Sequence, residues 1–72
     1  MNTKRSYELT ESERQALQRA RYDAGYTQAE LAVEVGLTAT TIGNYENGRT
    51  PVGGGTLRQL KELLPKFEGV DR

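Results

Sequence analysis

The chain has 72 residues, with 10 Lys and Arg against 10 Asp and Glu, and it contains no His, Cys or Trp. One domain is expected, burying about 60% of the surface that its unfolded chain exposes; without Cys or His it can build no disulfide, no zinc site, and no Ser-His-Asp or Cys-His catalytic set. No apolar run nears the length of a membrane span and no basic-then-apolar leader is visible, so a small cytoplasmic domain is expected, and its net charge of zero speaks against a nucleic-acid partner, since such domains usually carry a basic excess.

Residues 1–9 are polar, with Lys4 and Arg5 and no apolar repeat, and read as a flexible arm. Thr10-Glu11-Ser12-Glu13 is a capping box, in which Thr10 accepts from the Glu13 amide and Glu13 reaches back. It opens a first helix with an inner face of Ala16, Leu17, Ala20 and Ala24, and Gly25 follows as a left-handed stop. Thr27-Gln28-Ala29-Glu30 is a second capping box, and Tyr26 with Leu31 makes a hydrophobic staple across it. The second helix, about Gln28 to Val35, buries Leu31, Ala32 and Val35 and ends at Gly36. Thr38 caps a third helix, stapled by Leu37 and Ile42, facing inward through Ile42 and Tyr45 and ending at Gly48.

Beyond it, Arg49-Thr50-Pro51 reads as a loop and Gly53-Gly54-Gly55 as the most flexible point of the chain. Thr56 to Leu64 reads as a fourth helix, with Leu57, Leu60, Leu63 and Leu64 on one side and Pro65 as its stop. The tail, residues 65–72, frays unless Phe67 and Val70 fold back onto the core. No stretch alternates with period two, so no strand is expected. The fold class is all-α, a compact bundle of four short helices or five, with the domain at residues 10–64.

The informative unit runs from Gln28 to Tyr45, QAELAVEVGLTATTIGNY. Two short helices crossing at about 90–120° need a small residue at their contact and one tolerant of positive φ at the corner. Ala32 and Gly36 meet those needs, which is the helix-turn-helix pattern.

From about Leu17 to Leu64 the sequence resembles the Cro/repressor-type, lambda-repressor-like family of phage and bacterial regulators. The likeness rests on Arg21 and Gly25, on TQAELA from Thr27 to Ala32, and on Val35-Gly36-Leu37-Thr38. It continues through Thr41-Ile42, Tyr45-Glu46-Asn47-Gly48-Arg49 and Pro51. The resemblance implies that the third helix lies in the major groove of duplex DNA, with Ala39, Thr40, Gly43 and Asn44 toward base edges. It implies backbone contacts from Gln28, Thr38, Thr41, Asn47 and Arg49, and a structural ion pair between Arg21 and Glu46. Asn44 is the best specificity candidate, since a carboxamide pairs bidentately with adenine. The chain departs from the family where Ala39 replaces a residue that is often long and polar and where Asn44 replaces one that is often basic. Gly43 stands mid-helix, at a cost of roughly 1 kcal/mol against Ala, a place where backbone can approach DNA. The glycine run lengthens the loop to the fourth helix by about one residue.

Charge is unevenly placed. Residues 1–26 carry five basic and four acidic side chains, residues 27–48 only Glu30, Glu34 and Glu46, and residues 49–72 five basic and three acidic. The acidic middle leaves cationic phosphate contact to Arg49, with Arg58 and the Lys4-Arg5 arm behind it, and implies weak non-specific binding with a shallow salt slope. The expected function is a small Cro-like repressor that reads a double-stranded operator with helix 38–47, with no enzymatic activity, cofactor or small-molecule ligand implied. Only Leu63, Leu64, Phe67 and Val70 offer a surface for a homodimer, so dimerisation on DNA alone fits. The competing reading is a protein-interaction module on the same fold, such as an antitoxin or anti-repressor, favoured by the acidic middle.

Overall fold

The computed structural model describes residues 6–67; the proposed arm contacts of Lys4 and Arg5 and the return of Val70 to the core lie outside them. The elements in chain order are β1 (Ser6–Tyr7), α1 (Glu11–Asp23), α2 (Gln28–Val35), α3 (Ala39–Asn47), β2 (Val52–Gly53) and α4 (Gly54–Leu63). Three of the four helices start on a threonine. Thr10 Oγ1 accepts from the Glu13 amide at 3.1 Å while Glu13 accepts from the Thr10 amide at 2.7 Å. Thr27 and Glu30 repeat the exchange at 3.0 and 2.9 Å. These reciprocal bonds satisfy amides that a helix start otherwise leaves open.

Packing converts the short helices into a domain. Leu17, Leu31, Ile42, Val52, Leu60 and Leu64 are wholly enclosed, and Leu9, Ala20, Ala32, Val35, Tyr45, Leu57 and Phe67 complete the core. Ala32, with its single methyl, is buried in α2, the helix that packs most closely on α3. The chain turns between them at Gly36, whose φ of +72° is open to glycine at no steric cost. Ala24, expected on the inner face of α1, is exposed, and the buried position at that end is Arg21.

The chain ends differ from the expectation drawn from sequence. Ser6 and Tyr7 pair antiparallel with Gly53 and Val52, and Leu9 is buried in the core. Two residues are too few to show an alternating pattern, and their partners lie far along the chain. The expected arm is therefore part of the fold from Ser6 onward, and an otherwise all-α bundle carries one small β-bridge. The glycine run is ordered as well: Gly53 closes β2 and is the N-cap of α4, which starts at Gly54 rather than Thr56 and has no side-chain cap bond. At the other end, Pro65 does stop α4, but the following turn brings Phe67 into the core through a bond from its amide to the Leu64 carbonyl at 2.9 Å. Leu64 and Phe67 are thus consumed by the protein's own core and leave only half-buried Leu63 of the described residues suggested for a dimer surface.

Candidate nucleic-acid interface

The candidate surface is built on α3 and the two loops that flank it. Thr38 caps the helix, its hydroxyl accepting from the Thr41 amide at 3.2 Å and lying 3.0 Å from the Thr41 hydroxyl. Ile42 and Tyr45 turn inward and are buried. With those two inside, Thr40 is exposed and Ala39, Gly43 and Asn44 are half-buried on the outer side. Asn47 and Arg49 stand exposed at and beyond the end of the helix. Small side chains along this face leave the helix backbone open to close approach.

Behind the face lies a network that joins four segments. Arg21 of α1 donates through Nε to Glu46 Oε2 at 2.6 Å and through Nη2 to Glu46 Oε1 at 3.2 Å. Its Nη1 donates to the Tyr26 carbonyl at 3.0 Å. Gln28 Nε2, at the start of α2, donates to Glu46 Oε1 at 3.1 Å. Both side chains of the ion pair are buried, at 5% and 3% exposure. The two-pronged bond suits a planar guanidinium, and the Arg21 guanidinium also lies 4.6 Å from the Tyr22 ring centre. Hydrogen bonding to Glu46, opposed by desolvation and aided by the nearby negative charge, raises the Arg21 pKa above its ordinary value. Arg21 therefore stays charged at every physiological pH.

This arrangement changes the electrostatic reading of the acidic middle segment. Glu46 is neutralised by Arg21, and Glu30 is occupied by the Thr27 amide at the positive end of α2. Glu34 is the one acid of residues 27–48 left exposed without a bond of this kind. At the start of α2 the main-chain N–H groups of Gln28 and Ala29 have no helical partner by geometry, since they precede the first intrahelical bond. Gln28 and Ala29 line an open depression together with Tyr22, Tyr26 and Ala39.

Two features of this region escape a reading of the sequence. Gln28 is bound to Glu46 across 18 positions, and a methyl placed on Gly43 would lie 3.6 Å from Gln28 Nε2. Gln28, from α2, thus rests on α3 itself. Arg14 donates to the Leu9 carbonyl at 3.1 Å and covers Gly48, where a Cβ would come within 2.8 Å of its guanidinium. Neither contact has a local signal, because each joins distant positions through side chains of ordinary type. Among the described residues no cluster of acidic, His or Cys side chains could hold a metal ion, and no helix is long and apolar enough to cross a membrane.

No curated protein matches the chain significantly. A family model described as helix-turn-helix matches residues 17–66, which includes all of α2 and α3 and the whole Arg21–Glu46–Gln28 network. On that match and this geometry, the chain belongs to the Cro/repressor-type helix-turn-helix family of DNA-binding transcription regulators.

Proposed function

We propose that this protein is a sequence-specific regulator that binds a duplex operator by placing α3 in the major groove. The observation that carries the reading is the outer face of α3, where Ala39, Thr40, Gly43 and Asn44 present small, uncharged groups on a helix fixed from behind by buried Ile42 and Tyr45. An uncharged strip is a poor solvent face and a good groove face, because a helix bearing small side chains approaches base edges closely. Asn44 and Thr40 supply the direct contacts. Backbone contact falls to the α2 N-terminus through the Gln28 main-chain N–H, and to Thr38, Thr41, Asn47 and Arg49. Occupying the operator excludes or positions polymerase, and repression is the favoured outcome, as in small Cro-like phage or bacterial regulators. Two copies bound on a pseudo-palindrome about one helical turn apart fit this mode.

Fluorescence anisotropy with random and selected duplexes at two salt concentrations tests the reading. The expected result is a selected sequence bound far more tightly than random DNA, with affinity lost on Arg49→Ala and Asn44→Ala. Affinity no better than millimolar at low salt, and indifferent to both substitutions, refutes it in favour of a protein-interaction module.

A further inference from the structure

We propose that Asn47–Gly48 is a self-modification site, where the Asn47 side-chain amide is lost as ammonia at a rate set by opening of the last turn of α3. Asn47 is the last residue of the helix and stands exposed, and its side-chain amide has no hydrogen bond among the described residues. Two separate features favour glycine after it: a left-handed φ of +76°, and the Arg14 guanidinium, 2.8 Å from where a Cβ would stand. Glycine has no side chain to hinder attack by its own main-chain nitrogen on the residue before it. The fold thus sets the least obstructive neighbour behind an exposed asparagine.

The step needs water alone as co-reactant. The Gly48 main-chain N–H gives its proton to hydroxide or water, and the nitrogen attacks Asn47 Cγ. The N–Cγ bond forms, the Cγ–Nδ2 bond breaks, and Nδ2 leaves as ammonia with a proton from solvent. Water then opens the cyclic imide at either carbonyl, leaving aspartate or its β-linked isomer. In the closed structure the nucleophile is held back. The Gly48 N–H donates to the Tyr45 carbonyl at 3.2 Å and also to that of Asn44, and helical backbone at Asn47 keeps the Gly48 nitrogen out of line with Cγ. Arg14 packs on Gly48 and is tethered to the Leu9 carbonyl at 3.1 Å, which latches this end of α3 to the segment before α1. Helix ends open locally far more often than a whole domain unfolds, so the reaction proceeds through fraying of this turn. The new carboxylate stands at the negative end of the α3 dipole, on the surface proposed to meet the DNA backbone, where it repels phosphate. That consequence rests on the DNA-binding reading above; the chemical step does not.

Peptide mapping by mass spectrometry tests this on the full chain, aged at mildly alkaline pH both folded and in urea. Asn47 is expected to gain the mass of an amide becoming an acid, partly as the β-linked isomer, while Asn44, half-buried within α3 and followed by Tyr45, stays intact. The folded rate should be lower than the urea rate by on the order of 10-fold. Arg14→Ala should bring the folded rate toward the urea rate and leave the latter unchanged. Arg14→Lys, which keeps the charge without the flat cover, should do the same in part if alanine loosens the fold. Asn47→Asp, the product with normal linkage, should bind a selected duplex more weakly than Asn47→Ala does, and the gap should close as salt rises. No conversion in the folded chain, or equal rates folded and in urea, overturns the proposal, and a folded rate untouched by both Arg14 variants overturns the latch. Asn47→Asp binding as tightly as Asn47→Ala overturns the effect on DNA alone. A wild-type chain that converts at Asn47 yet binds no duplex overturns the regulator reading and leaves the chemistry standing.

Discussion

Gly43→Ala should raise the stability of the protein and weaken its binding to DNA. Position 43 lies inside α3, with Ala39 at one end of the helix and Asn47 at the other, where glycine costs roughly 1 kcal/mol against alanine. Room for a methyl exists: its nearest neighbours would be Nε2, Oε1 and Cδ of Gln28 at 3.6, 3.7 and 3.9 Å, all ordinary contact distances. No steric charge offsets the gain, so about 0.5–1 kcal/mol of stabilisation is expected. For a domain of this size that is about 2–8 °C in melting temperature, read by circular dichroism, with an unchanged urea m-value. The same methyl would stand beside Gln28 on the strip of α3 proposed for the groove. If the α3 backbone approaches base edges there, affinity for a selected duplex should fall on the order of 10-fold, about 1.4 kcal/mol. A loss of stability would refute the packing argument, since it would mean that Gln28 cannot yield the space. A more stable protein with undiminished affinity would refute the close approach.

Other substitutions probe separate parts of the structure. Arg21→Ala leaves the buried Glu46 carboxylate without its cation and should cost about 3–5 kcal/mol, much of the total stability of a 72-residue domain; a thermal melt close to wild type would show the pair to be dispensable. Thr27→Ala removes the cap of α2 and should cost about 1 kcal/mol by urea unfolding. Phe67→Ala should cost about 3–5 kcal/mol, a size that only a core residue can produce, whereas a frayed tail would give no change. Arg49→Ala should leave the melt untouched and weaken all duplexes alike, reducing the salt slope by about 0.9.

What the sequence reveals of this fold depends on the distance over which each signal acts. Capping boxes at Thr10 and Thr27, the Thr38 cap and the turn glycine Gly36 work within four residues, so the bounds of α2 and the N-cap positions of all three helices are legible from the chain alone. The start of α4 is not, because Gly53 caps it without a side-chain bond and glycine gives no start signal. Ser6–Tyr7 is hidden for another reason: its partner among the described residues, Val52–Gly53, lies far along the chain, and a two-residue ladder has no period. Phe67 is obscured by Pro65, a true helix stop that says nothing about where the chain goes next. At the candidate site, the exposed side of α3 follows from Ile42 and Tyr45 facing inward. The union of Gln28 with Glu46 and Gly43 does not follow, since it depends on how two helices cross and on one rotamer. Resemblance assigns Gln28 a role but not the direction of its amide.

Gly36 and Gly48 end their helices with nearly the same backbone angle, φ +72° and +76°, but their surroundings differ. Nothing lies within 4 Å of a Cβ built at Gly36, whereas at Gly48 it would strike the Arg14 guanidinium. In a saturation library the two positions should therefore diverge. Asparagine, which tolerates left-handed backbone better than most residues, should survive at position 36 at modest cost. At position 48 it should cost more, because the Arg14 guanidinium must swing aside and give up its bond to the Leu9 carbonyl. Variation at the end of α3 is thus coupled to Arg14 of α1 and the segment just before it, so drift at position 48 carries a cost that drift at position 36 does not.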